Sequence, residues 1–174
     1  PVVTGAEGIG LEIIRAIAVE RAAPLYVLSE GGPLFDLPVR PALQGRFQRQ
    51  NARLAAAVLR LLGYSESTIS TGLSTAQHPG RMQQLTYQGV QVMLDGAHNP
   101  PAARALVEEL EGFHLVFGAF PRKDYRTILQ TLLPKAKSVR YTYAAKGALR
   151  PEELLPVYPA PYFDHPLEAL HHAA

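Results

Sequence analysis

The sequence predicts an α/β protein with a mostly parallel sheet, and three observations carry that prediction. Short apolar runs alternate with stretches of helical periodicity along most of the 174 residues. Beyond residue 81 the strand-like runs are separated by helical stretches of roughly 10–15 residues, which implies parallel pairing through right-handed crossovers. Glycine and proline clusters punctuate the elements, with no internal repeat or low-complexity tract. A chain of this length makes one large domain or two small ones.

Leu11, Ile14 and Ala18, with Ile13 and Ile17, recur at helical spacing, so residues 8–22 read as a helix. Leu25–Leu28 is a short strand, stopped by Ser29-Glu30-Gly31-Gly32-Pro33. Residues 46–62 make the clearest helix: Ala52, Ala55, Val58, Leu59 and Leu62 form one stripe, and Gly63 ends it. A short helix at 65–72 runs into Ser74-Thr75-Ala76-Gln77-His78-Pro79-Gly80-Arg81, small and polar enough to join two domains. Gln83–Tyr87 and Val90–Leu94 flank Gln88-Gly89 as a hairpin. Residues 100–111 form a helix with Pro100 and Pro101 in its first turn, where a missing N–H matters least. His114–Phe117 is a buried strand, 124–134 a helix, Val139–Thr142 a strand and 151–155 a short helix. Tyr162–Phe163 then precede a last helix from His165 onward.

Composition excludes several functions. Lys plus Arg is 17 and Asp plus Glu is 15, a net charge of +2. The cations are 13 Arg and 4 Lys without a basic run, which excludes a nucleic-acid binder built on a dense cationic footprint. The absence of cysteine excludes disulfides, thiolate zinc sites and cysteine nucleophiles. No apolar stretch approaches the roughly 18 residues of a membrane span, and no signal peptide opens the chain. The expectation is a cytoplasmic protein without membrane or nucleic-acid partners. The start on Pro1-Val2-Val3 and the helix-like finish on His171-His172-Ala173-Ala174 suggest the length of a piece.

Two stretches could carry chemistry. Thr4-Gly5-Ala6-Glu7-Gly8-Ile9-Gly10 resembles the short-chain dehydrogenase fingerprint, Thr-Gly-x-x-x-Gly-Ile-Gly, which would imply an NAD(P)-dependent oxidoreductase. It is one residue short, and the Tyr-x-x-x-Lys pair of that chemistry is missing: Lys146 follows Tyr143 by three residues and Tyr141 by five. A strand-to-helix turn with glycine at crowded or left-handed positions is the better reading. The second stretch is Val90-Gln91-Val92-Met93-Leu94-Asp95-Gly96-Ala97-His98-Asn99-Pro100-Pro101. In an open α/β sheet, ligands bind beyond the carboxyl ends of the strands. Asp95 there could accept hydrogen bonds from vicinal hydroxyls, and His98 and Asn99 sit at a helix start that favours an anion. On spacing alone, capping by Asp95 and Asn99 and a structural hydrogen bond by His98 account for the pattern equally well.

Leu94-Asp95-Gly96-Ala97-His98-Asn99-Pro100 also resembles the signature of the folylpolyglutamate synthase/dihydrofolate synthase family of the Mur ligase superfamily. Leu43-Gln44-Gly45-Arg46-Phe47-Gln48-Arg49-Gln50-Asn51-Ala52 is similar to the family's Leu-x-Gly-x-His-Gln-x-x-Asn-Ala, departing at Phe47, where His is usual. Pro79-Gly80-Arg81 resembles its Pro-Gly-Arg, and Val116-Phe117-Gly118-Ala119 with Lys123-Asp124 resembles its Val-Phe-Gly-Ala…Asp-Lys-Asp, with Arg122 in place of the first Asp. The related peptidoglycan ligases normally carry other residues around the Asp and His.

The resemblance implies an ATP-dependent ligase with Mg²⁺, joining L-glutamate to a folate or dihydropteroate carboxylate through an acyl phosphate. It places Gln48 and Asn51 near the adenine, Asp95 on the ribose, Arg81 on the phosphates and Asn99 among the nucleotide contacts. His98, with Arg81, would be catalytic, close to the γ-phosphate or reacting acyl group, while Lys123 and Asp124 would orient glutamate. It implies a Rossmann-like glutamate-ligase domain over 82–174, cut before its last strand, a linker at 77–81, and the tail of a P-loop-type central ATPase domain over 1–76. The family's glycine-rich phosphate loop has no counterpart: Gly-Lys-Ser/Thr does not occur. These residues are therefore expected to need a missing N-terminal ATPase region, with the metal ligands mainly there, and to be inactive alone. Another Mur-type amino-acid ligase and a non-catalytic nucleotide-binding module are the alternatives, the oxidoreductase a lesser one.

Overall fold

In the computed structural model, which describes residues 1–173, β1 (Val2–Thr4) runs parallel to β2 (Leu25–Val27), Val2 opposite Leu25 and Thr4 opposite Val27. The chain divides at Gln83–Gln84 into two units. Helix α1 (Gly8–Glu20) joins the two strands of the first and stops short of residue 22, because Ala22 takes a left-handed φ of 48° and its N–H turns back to Val19 O. One of its two expected apolar stripes turns inward: Ala18 is buried and Leu11 and Ile14 are half-buried, whereas Ile13 and Ile17 stay exposed with Ile9. Leu28 leaves the strand to open a 3₁₀ turn, Leu28–Glu30.

Helices α2 (Arg46–Leu61) and α3 (Glu66–Thr75) build the core of this unit, Ala52, Ala56, Ile69 and Leu73, with Leu37, Val39 and Leu59 packed around it. The inward stripe of α2 is therefore Gln48-Ala52-Ala56, with Ala57 also buried. The stripe expected from the sequence is corrected: Ala55, Val58 and Leu62 are exposed. Alanines on that face let α3 approach closely, and arginines on the neighbouring face explain the rotation. Arg53 Nε donates to Phe35 O at 3.2 Å. Arg60 Nη1 donates to Leu34 O and Asp36 O, both at 2.7 Å, and its Nε and Nη2 grip the two Glu66 oxygens at 2.6 and 2.7 Å. That fork raises the Arg60 pKa and lowers that of Glu66, each chiefly through their mutual hydrogen bonds. Ser65 caps α3 by accepting from Thr68 N, and the helix extends to Thr75, into the loop expected from residue 74.

In the second unit β3 (Gln83–Tyr87, whose first residue closes the first unit) and β4 (Val90–Leu94) form the expected hairpin. Gln88 and Gly89 at its tip have φ of 48° and 83°, the two positive values of a type I′ turn. Helix α4 (Pro100–Val107) ends before 111, because Glu109 and Leu110 bond three residues back and Gly112 turns left-handed at φ 57°. Lys135 Nζ donates to the Val107 and Leu110 carbonyls at 3.0 and 3.2 Å and pairs with Glu111.

The remaining strands β5 (Phe113–Phe117), β6 (Ala136–Thr142) and β7 (Tyr162–Phe163) form a parallel sheet in the order β5-β6-β7. Helices α5 (Tyr125–Leu132) and α6 (Pro151–Leu154) lie in the two crossovers, and α7 (Pro166–His171) follows β7. Phe117 and Tyr141 meet edge-on at 6.5 Å, Ile128, Leu129 and Leu132 of α5 are buried, and the buried Tyr141 hydroxyl donates to Tyr158 O at 2.9 Å. Burial raises the pKa of that phenol, as it does for Tyr162. The strand expected at His114–Phe117 is buried at Phe117, not at His114, whose Nδ1 lies 2.6 Å from Ser138 Oγ. The ends of β5 and β6 approach so closely that a Cβ on Gly118 would lie 2.8 Å from Thr142 O and 2.9 Å from Ala144 Cβ.

Arg60→Met should lower stability by about 2 kcal/mol, since two loop carbonyls lose a charged donor; urea unfolding of the chain measures it. The Arg60–Glu66 fork should also make stability depend on pH. With the folded pKa of Glu66 lowered, its contribution is present above the unfolded value of about 4.3 and disappears as pH falls through the folded one, an acid slope that Glu66→Gln should reduce. Gly118→Ala should cost about 1–3 kcal/mol, seen as a lower Tm, because backbone rather than a mobile side chain blocks the new methyl.

Candidate functional site

The residues singled out for function fall in both units. In the first, Gly45 precedes α2 with φ 98°, and a Cβ there would lie 2.7 Å from Met82 Sδ and 3.1 Å from Phe47 Cε1. Glycine is thus required both by conformation and by space. No side chain caps this helix and no acidic residue lies in its first turn, which leaves its N-terminus electropositive. Gln48 is 5% exposed, and its Oε1 accepts from Asn51 Nδ2 at 3.1 Å, so the two expected adenine contacts hold each other one turn apart. Phe47 is half-buried beside Gly45. Arg81 follows Gly80, whose φ is 70° and whose N–H donates to Gln83 Oε1 at 3.0 Å. The half-buried Arg81 guanidinium forms no ion pair with a carboxylate among the described residues.

In the second unit β4 delivers a tight turn into α4. Asp95 is half-buried and its Oδ1 accepts from Ala97 N at 2.8 Å. His98 is exposed, with Nδ1 at 2.9 Å from Gly96 O, and Asn99 Oδ1 accepts from Ala102 N at 2.9 Å, capping α4. One premise of the sequence reading is corrected here. Strand β4 hydrogen-bonds to β3 alone among the described strands, and Val90 and Leu94 are exposed, so Asp95 does not lie at the carboxyl end of the parallel sheet.

The carboxyl ends of the parallel strands gather a different set. Lys123 is half-buried and Asp124 is exposed, its Oδ1 capping α5 through Thr127 N at 3.2 Å. Gly118, Thr142 and Arg150 join them, and sequence reasoning had assigned these no role. Leu149 N donates to Ala119 O at 2.8 Å, tying together the loops that follow β5 and β6. Arg150 lies over the Tyr143 ring at 4.0 Å and faces Asp164 at 3.8 Å, and its N–H is held by Glu153. The Thr142 hydroxyl is buried without a hydrogen-bond partner among the described residues. The Arg150-Pro151-Glu152-Glu153 run, a capping pattern directly after a strand and loop, was the legible signal for Arg150.

The glycine cluster after β1 does make a strand-to-helix turn. Thr4 Oγ1 accepts from Ala6 N at 3.0 Å, Gly8 takes φ 55°, and a Cβ on Gly5 would lie 3.1 Å from Leu54 Cδ1. Among the described residues no three His, Asp or Glu side chains gather as a metal site, and no helix is long and apolar enough to cross a membrane.

A model of the Mur ligase glutamate ligase domain matches residues 80–173, more than half of the chain. The UDP-N-acetylmuramyl-tripeptide synthetase of Lactococcus lactis subsp. cremoris is 33% identical over 118 residues, covering 61% of this chain and 24% of that protein. The dihydrofolate synthase/folylpolyglutamate synthase of Bacillus subtilis is 28% identical over 162 residues, covering 75% of this chain and 37% of that protein. The fold is that of a Mycobacterium tuberculosis folylpolyglutamate synthase solved with ADP and AMPPCP, at a TM-score of 0.81 and 24% identity over 98% of this chain and 47% of that one. The chain spans less than half the length of each of these relatives. With its strand-end turn into α4 and its parallel β5-β6-β7 sheet inside the matched region, the chain belongs to the Mur ligase family, through the glutamate ligase domain.

Proposed function

We propose that these residues serve an ATP-dependent ligase that joins L-glutamate to the carboxylate of a folate or dihydropteroate. The observation that supports this most is the Asp95-to-Asn99 turn at the start of α4, inside the matched family region. ATP would phosphorylate the carboxylate, releasing ADP; the glutamate amine would attack the acyl phosphate, and phosphate and a proton would leave as the amide forms. Such catalysis rests on alignment and charge neutralisation.

Each residue has a role suited to its local setting. Gln48 and Asn51, held to one another, present amide groups for an adenine edge. Arg81 offers a fork suited to phosphate oxygens. Asp95, steadied by Ala97 N, would accept from ribose hydroxyls, and His98 would face the γ-phosphate or acyl group. Asn99 belongs here as the residue that sets the start of α4, a capping role that also positions His98. Lys123 would orient the glutamate carboxylates, with Asp124 fixing the start of α5 beside it. Mg²⁺ would screen the phosphates; the donors present form no metal cluster, so its ligands are assigned outside the described residues. We assign residues 1–76 to the end of a central ATPase domain, 77–81 to the linker and 82–174 to the C-terminal domain, of which Ala174 lies outside the described residues. A phosphate-loop region is the required partner. A muramyl-peptide ligase is the second reading, favoured by the Lactococcus relative, and offering UDP-muramoyl substrates in place of dihydropteroate separates the two.

The 174-residue chain given ATP, glutamate and dihydropteroate should show no turnover, and robust turnover would refute the need for a phosphate-loop partner. In a polypeptide that includes that loop, Asp95→Ala and Arg81→Ala should each lower kcat/KM for ATP at least roughly tenfold, about 1.4 kcal/mol. If neither does so, the nucleotide assignment is wrong.

A further inference from the structure

Among the described residues, three that are not glycine take a positive φ: Ala22, Met82 and Gln88. Ala22 and Gln88 sit in exposed turns, whereas Met82, at φ 44°, is only 6% exposed. A left-handed residue with a bulky side chain is unfavourable by itself and persists where surrounding contacts fix it. The fixing contact is with the start of α2: the Met82 thioether lies against Gly45, where a Cβ would come within 2.7 Å of Sδ. Glycine at 45 thus makes room for the Met82 side chain. The residues beside Met82 are tied as well, Arg81 N donating to His78 O at 3.2 Å and Gly80 N to Gln83 Oε1 at 3.0 Å. Arg81 therefore stands between a closed turn and a buried anchor.

The torsion φ of Met82 turns the peptide that joins it to Arg81. With the thioether held against Gly45, a φ of 44° in place of the usual value near −60° redirects Arg81 by roughly 100°. The helix that begins after Gly45 bears the Gln48–Asn51 pair in its first two turns. We propose that Met82 is a positioning residue that sets where Arg81 stands relative to that pair, resting on the reading in which Arg81 meets the ATP phosphates and the pair meets the adenine. Buried against Gly45, Met82 acts through Arg81 and not on the nucleotide itself. An unbranched thioether suits the irregular space beside Gly45, and leucine, of similar volume, would fill most of it. Alanine would leave that space empty and release φ to its ordinary negative range.

A double-mutant cycle on ADP affinity, measured by calorimetry in a polypeptide that includes the phosphate-loop region, tests this without any ligase turnover. Arg81→Ala should weaken ADP about tenfold and Met82→Ala about fivefold, with Met82→Leu recovering most of the loss. Added to Arg81→Ala, Met82→Ala should weaken ADP by no more than about twofold further, because the residue through which it acts is gone. Val27→Ala, which truncates another buried side chain of the same unit, should leave ADP affinity unchanged. Circular dichroism of each variant confirms folding. Unchanged affinity in Met82→Ala, full multiplication of the two losses in the double variant, or equal weakening by Val27→Ala would overturn the proposal. ADP affinity unaltered by Arg81→Ala alone would remove the nucleotide reading and the proposal with it, a result distinct from those three.

Discussion

Loop carbonyls away from regular ladders need donors, and in this chain cationic side chains provide many of them. Arg60 and Arg53 take the carbonyls of Leu34, Phe35 and Asp36 in the first unit, and Lys135 takes those of Val107 and Leu110 in the second. Remove these and the connection before α2 and the end of α4 lose the bonds that define their paths.

Most elements were legible because each satisfied its own local rule. The hairpin strands came out with the expected bounds, since Gln88-Gly89 leaves little choice of register. Ser65, Asn99 and Asp124 each cap a helix from the position that local chemistry prefers. Helix phase was not legible in α2, where an alanine-rich segment offers several equivalent apolar stripes. The arginines at 53 and 60 chose among them by reaching a loop far away in sequence. Sheet membership of β4 was equally hidden, because an apolar run reads the same in a hairpin as in a central strand.

The candidate site divides in a similar way. Motif spacing located Asp95, His98 and Asn99, and the structure gives all three work within the turn itself: Asp95 braces Ala97, His98 bonds Gly96 O and Asn99 caps α4. Bracing and binding are compatible, since a carboxylate held by one amide is a better-positioned acceptor for a second partner. What spacing along the chain did not show is the closure at the ends of β5 and β6, where Gly118, Thr142 and Arg150 matter through separations between segments distant in sequence.

The bond between His98 and Gly96 has a consequence for proton chemistry. A carbonyl oxygen cannot donate, so the 2.9 Å contact assigns the ring proton to Nδ1. The neutral imidazole is thereby restricted to one tautomer, with the lone pair on Nε2 at the exposed edge. That edge offers a proton acceptor at the turn before α4, beside a helix start whose free amides favour an anion.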